Sequence, residues 1–129
     1  MASRSPVPIK YPPGPELARR YERVLKVALS LPGVEDSRSY GTPAIKVKGK
    51  LIARLRSEAE GALALACDFP EREMLLQAAP ETFFFTDHYA DYPMVLINLD
   101  TLRWEALPQL IEDAYRLVAP KRLIAELDS

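Results

Sequence analysis

The chain has 129 residues, 17 of them Lys or Arg and 18 Asp or Glu, with one His and one Cys. Apolar residues make up 48% and charged residues 27%, a balance that excludes disorder along the whole length and fits one domain around one core. One cysteine cannot form an internal disulfide, no Cys/His cluster offers a zinc site, and no apolar run of spanning length or signal-peptide core is present. The expectation is therefore a soluble cytoplasmic monomer with no membrane segment, metal or cofactor. The charge is divided: residues 1–57 carry twelve basic and four acidic side chains, residues 58–129 five and fourteen. Either the two halves neutralise each other on folding, or the basic half keeps an exposed face for an anionic partner.

Residues 1–14 hold Pro6, Pro8, Pro12 and Pro13 and read as a loose arm, with the domain proper over 15–129. Pro15 suits a first helical position, and Leu17, Tyr21, Val24, Leu25, Ala28 and Leu31 then recur at helical spacing, with Arg19, Arg23 and Lys26 opposite. Pro32 and Gly33 end that helix. Residues 34–67 read as strands. Gly41 and Pro43 mark a turn, Ile45 and Val47 alternate with Lys46 and Lys48, and Gly49 makes a hairpin tip. A two-residue loop at 49–50 would put Lys46 and Lys48 on the face of Leu51 and Ala53. A three-residue loop at 48–50 pairs Val47 with Leu51 and Ile45 with Ala53, leaving Lys46, Arg54 and Arg56 on the other face, and is preferred because it keeps charge out of the core. Glu58 to Gly61 is the next turn, and Ala62 to Cys67 the next strand. Glu71 to Ala79 reads as a short helix with Met74, Leu75 and Ala78 inward. Thr82 to Tyr92 fits either a strand or a packed loop. Met94 to Leu99 is apolar enough for a strand buried on both faces. A closing helix from Trp104, with Pro108 in its first turn, ends at Pro120, and a tail helix follows from Lys121 to Leu127. The whole is an α+β fold: a curved antiparallel sheet packed against N-terminal and C-terminal helices.

Between Ser37 and Ser57 stand six basic residues (Arg38, Lys46, Lys48, Lys50, Arg54 and Arg56) and no acidic one. A ribbon presenting cations outward can enter a DNA groove or ride on phosphates. The same pattern also fits a solvated face that discourages edge aggregation. His88 follows Asp87, but neighbours on a strand point apart, and no Ser, Cys or second His completes a nucleophilic set. His88 is therefore read as a structural residue bonded to a neighbouring loop, and Cys67 as a buried structural thiol. The acidic pairs Glu35/Asp36 and Glu58/Glu60 read as solvated loop charges, and no glycine loop of phosphate-cradling spacing is present.

Leu31-Pro32-Gly33-Val34-Glu35, Ser39-Tyr40-Gly41-Thr42-Pro43-Ala44 and Lys48-Gly49-Lys50-Leu51 follow one another in a familiar order. With Asp87-His88-Tyr89, Tyr92-Pro93 and Ala114-Tyr115-Arg116 before Ala119-Pro120-Lys121, they resemble the MmcQ/YjbR family of small bacterial proteins over about residues 16–123. Ile45 departs from the pattern, which usually has Phe there. The resemblance implies a compact fold with a curved antiparallel sheet. It also implies the DNA-binding label that the family carries on a double-wing likeness, an analogy at the level of fold. It supplies no catalytic residues.

Two functions follow as expectations. The first is a non-enzymatic DNA-binding domain, its phosphate contacts made by Lys46, Lys48, Lys50, Arg54 and Arg56 with Arg38 as an extension, and its binding tolerant of sequence. The second is a small-ligand or protein-binding module built on Tyr40, His88, Tyr89 and Tyr92, amphipathic rings gathered around the single histidine.

Overall fold

The computed structural model describes residues 13–56 and 62–129; the proline-rich arm up to residue 12 and the turn expected from Glu58 to Gly61 lie outside the described residues. Helix α1 spans Pro15–Ala28, opened by Pro15 and by the Gly14 carbonyl, which accepts from the Ala18 amide. Its buried residues are Leu17, Tyr21, Val24, Leu25 and Ala28, and Arg19, Arg23 and Lys26 face solvent, as the periodicity requires. The chain then reverses at Gly33, whose φ of +75° suits glycine.

Six strands follow: β1 (Val34–Ser39), β2 (Thr42–Val47), β3 (Lys50–Leu55), β4 (Ala62–Ala66), β5 (Phe83–Phe84) and β6 (Met94–Asn98). They form one antiparallel sheet in the order β1-β2-β3-β4-β6-β5. Helix α2 (Phe69–Ala78) connects β4 to β5, and α3 (Leu107–Val118) and α4 (Lys121–Asp128) close the described chain. Leu17, Val24, Ile111, Tyr115 and Leu123 from the helices pack with Ile45, Val47, Leu63, Val95 and Ile97 on one face of the sheet. The expected α+β arrangement, helices on one side of an antiparallel sheet, is the one observed. Each fully buried aliphatic contributes about 1.5–3 kcal/mol, so this face supplies most of the folding energy. The other face carries a smaller cluster of Ala62, Ala64, Tyr89 and Leu96.

Two hairpin turns shape the open face. Ser39 pairs with Thr42 around Tyr40 and Gly41, and Val47 pairs with Lys50 around Lys48 and Gly49. All four turn residues have positive φ, +52° and +78° in the first turn and +50° and +78° in the second, as type I′ geometry demands. The second loop therefore has two residues, not the three expected at 48–50. The register is recovered by a bulge: Lys46 pairs with Leu51 and Ile45 with Ala53, leaving Ile52 as the extra residue. Type I′ turns twist with the strands, and the bulge lets consecutive Ile52 and Ala53 both be fully buried. Leu51 in consequence stands opposite Lys46 on the open face, not beside Val47 in the core.

The inward side of α2 also differs from the expectation. Met74 is 65% exposed and Ala78 faces solvent, whereas Arg72, Leu75, Leu76 and Ala79 turn inward. Asp68 caps the helix by accepting from the Glu71 amide at 2.8 Å. The aromatic run resolves into the two-residue strand β5 and a loop with a single 3-10 turn at Asp87–Tyr89. At the C-terminus, Leu117 is exposed, and α4 is tied to α3 by Arg116, which donates to Asp128 at 2.6 Å and to Glu112 at 2.9 Å. The guanidinium bonds hold the Asp128 carboxyl below its ordinary range.

The turn before β1 is gripped from two sides. The Tyr115 hydroxyl donates to the Pro32 carbonyl at 2.6 Å, and a Cβ at Gly33 would meet Leu123 Cδ1 at 2.7 Å. Gly33→Ala should therefore destabilise the fold by about 1–2 kcal/mol, the cost of a side chain in left-handed backbone. An unchanged urea midpoint would show instead that the turn relaxes freely.

Candidate functional site

The open face of the sheet is recessed into a groove of about 870 Å³, lined by Tyr40, Thr42, Leu51, Arg54, Arg56, His88, Tyr89, Tyr92, Pro93 and Met94. The volume lies in the range of small-molecule sites. Three segments distant in sequence build it: the first hairpin turn, the middle of β3, and the loop between β5 and β6.

Arg54 is fixed at its centre. Nε donates to the Ser39 carbonyl at 3.3 Å and to Thr42 Oγ1 at 3.1 Å, and Nη1 donates to the Tyr89 hydroxyl at 3.1 Å. Among the described residues its Nη2 group has no acceptor, so a positive donor is held in place without being spent. The same guanidinium lies 5.2 Å from the Tyr40 ring centroid, and the Arg56 guanidinium lies 5.0 Å over the Tyr89 ring, distances at which cations are attracted to an aromatic face. Tyr89 is buried against Ala62, Ala64 and Leu96 and forms part of the floor. His88 sets its ring edge-on to Tyr89 at 4.9 Å and tilted toward Tyr92 at 6.2 Å. Among the described residues none hydrogen-bonds its imidazole, so the expected bond to a neighbouring loop is replaced by ring contacts on an exposed rim. Among the described residues no carboxylate lines the groove.

This groove gathers residues from both expected sites: Arg54 and Arg56 from the basic hairpin, and Tyr40, His88, Tyr89 and Tyr92 from the aromatic set. Lys46 shares the open face by its register with Leu51 but lies outside the lining, and Glu35 is its partner on β1. Lys48 and Lys50 are exposed at the hairpin tip. Arg38 stands apart. It pairs in register with Pro43, its side chain is 13% exposed, and its Nη1 donates to the Ser37 carbonyl and lies 3.5 Å from the buried Asp36 carboxylate.

What holds the aromatic loop in place is Arg72, a residue the sequence reading passed over. Its Nη1 donates to the carbonyls of Tyr89 (2.9 Å), Tyr92 (3.0 Å) and Met94 (3.0 Å), and Nη2 to that of Ala90 (2.9 Å). Phe69 and Phe85 lie 4.9 and 4.0 Å from its guanidinium. The signal was present: 72, 75, 76 and 79 share a helical face, and a charge on an otherwise apolar face needs a buried partner. Arg72→Met should cost on the order of 3 kcal/mol, because buried carbonyls lose their donor. Arg72→Lys should restore only part of it, since an ammonium lacks the planar fork. A Met variant as stable as the parent in urea would contradict this role.

A second, smaller cavity of about 410 Å³ lies where β4, α2 and α3 meet and contains Cys67 with Asp68, Glu71 and Asp113. Burial, followed by the charges of Glu71 and Asp68, pushes the thiol up to about 11, so it is protonated at neutral pH and a poor nucleophile. A thiol-reactive dye at neutral pH should leave Cys67 unlabelled in the folded protein and label it in denaturant; rapid labelling of the native form would contradict this assignment. Among the described residues no group of three or more His, Cys, Asp or Glu is placed to hold a metal ion, and no helix is long and apolar enough to cross a membrane.

Comparison with known proteins places this geometry. No curated protein matches the chain. Among solved structures it is similar to the crystal structure of the Deinococcus radiodurans protein DR2400, a DUF419 domain, with 25% identity and a TM-score of 0.69 over 84% of this chain and 87% of that one. The YjbR family model matches residues 29–117, well over half of the chain, from the end of α1 through the sheet and into α3. The chain therefore belongs to the YjbR family.

Proposed function

We propose that this protein is a non-enzymatic nucleic-acid-binding domain acting in the cytoplasm, and that its binding surface is the groove on the open sheet face rather than the tip of the basic hairpin. The observation that carries this reading is the lining itself: among the described residues, two arginines and four amphipathic rings converge in one recess without a carboxylate. Arg54 supports phosphate binding because its guanidinium is already immobilised by Ser39, Thr42 and Tyr89, so little side-chain entropy is lost when an anion arrives. Arg56 and Lys46 extend the positive track along the same face of the hairpin, where alternate residues recur about every 6.8 Å.

The absence of an enzymatic role is part of the proposal. The Cys67 thiol is held protonated in a separate cavity. His88 has a ring, not a carboxylate, as its nearest support, so neither group is equipped as an activated nucleophile or oriented base.

Contacts from Arg54, Arg56 and Lys46 would neutralise three phosphates. The observed affinity should then fall with a log–log salt slope between about −2 for single strands and −2.7 for duplex, a loss of roughly 20- to 40-fold from about 50 to 200 mM salt. Fluorescence anisotropy of labelled oligonucleotides measures this directly. Arg56→Gln with Lys46→Gln should flatten the slope by nearly two thirds. Absence of binding at the lowest salt, or a slope indifferent to those substitutions, would overturn the proposal.

A further inference from the structure

Resting on that reading, we infer that the groove selects unpaired nucleic acid, stacking a short run of exposed bases on Tyr40, His88 and Tyr92 while Arg54 and Arg56 hold the backbone. The argument begins with Tyr40. It occupies the first central position of a type I′ turn with φ of +52°, a position that favours Asn, Asp or Gly and is strained for a bulky side chain. Its ring gains nothing from the core in return, being 85% exposed. It lies 5.2 Å from the Arg54 guanidinium, a contact that leaves most of the ring open to solvent. A residue that is strained and unburied contributes little to stability, so its value lies in what the ring can receive.

The rest of the rim has the same character. Tyr92 is 57% exposed and His88 is exposed beside it, their rings tilted toward each other at 6.2 Å. Between the rims the floor is apolar, made by Leu51, Tyr89, Pro93 and Met94. A duplex keeps its base faces stacked inside and offers phosphates and groove edges, which leave such a recess and its rings unfilled. A single strand offers flat apolar faces and phosphates together, the combination that aromatic platforms flanked by cations recognise without regard to sequence.

The test titrates the full chain, at one low salt concentration, against three probes: an unstructured oligothymidylate of about 12 nucleotides, within the usual site size of single-strand binders, a duplex of the same length, and a mononucleotide. The single strand should bind at least tenfold more tightly than either of the others. Tyr40→Asn, which suits the turn, should leave the melting temperature unchanged or raise it. The same variant should weaken single-strand binding about 5- to 150-fold, the range for loss of one stacked base, without changing the salt slope. Tyr92→Ala on the opposite rim should do likewise. Equal affinity for duplex and single strand would overturn the stacking inference and leave the nucleic-acid reading standing. A mononucleotide bound as tightly as the oligomer would assign the groove to a small ligand. No binding of any probe would remove both readings together.

Discussion

The groove depends on one buried cation. The loop between β5 and β6 has little regular structure of its own, and its carbonyls at Tyr89, Ala90, Tyr92 and Met94 point toward a single guanidinium supplied by α2. A planar fork with five donors satisfies several acceptors at once in a fixed geometry, with more donors than any other side chain carries. The two flanking phenylalanines shield those bonds and give the charge an aromatic face on which to rest. Arg72 thus converts an irregular segment into a fixed wall, and Tyr89, held by that wall, returns the constraint to β3 through its bond with Arg54. The two arginines play different parts: one is consumed by backbone carbonyls, while the Nη2 of the other has no acceptor among the described residues.

Much of the fold was legible from the residues. The apolar stripe of α1, the strand character of the stretch after Gly33 and the closing helices follow from periodicity and from breakers, although α1 ends at Ala28, before the stop that Pro32 and Gly33 predict. The hairpin register was half legible. Ile45 opposite Ala53 was readable because charge would otherwise enter the core, but the bulge at Ile52 lies in the ladder and leaves no mark in composition. The inward face of α2 was not legible from its apolar residues alone, because Arg72 belongs to the face that Leu75, Leu76 and Ala79 share. Each half of the groove was visible in its own stretch of sequence as a basic hairpin or a set of rings. Their convergence was not, since it arises from the strand order that sets β6 beside β4 and carries the loop above β3.

The division of charge between the halves takes on a definite meaning in three dimensions. The acidic half supplies α2, the aromatic loop and the last two helices, yet among the described residues it contributes to the groove His88, Tyr89, Tyr92, Pro93 and Met94, none of them acidic. Several of its carboxylates have other places: Asp68, Glu71 and Asp113 line the smaller cavity, and Glu112 and Asp128 are engaged by Arg116. A near-neutral total thus coexists with a locally positive recess, and long-range attraction of anions depends on that local field more than on net charge.

The order of the strands also bears on how the molecule assembles. Strands β1, β2 and β3 are joined by two tight turns and form a meander of neighbours in sequence, so they can pair at small entropic cost. Strand β6 lies between β4 and β5 in the sheet although β5 precedes it in the chain. The two residues of β5 therefore have no strand to pair with until β6 is seated, and the aromatic loop spans this late junction. The loop that completes the groove adjoins the least local strand pairing of the sheet, that of β4 with β6. It is the region expected to close last in folding and to open first in native fluctuation, while the cationic hairpin beneath it stays formed.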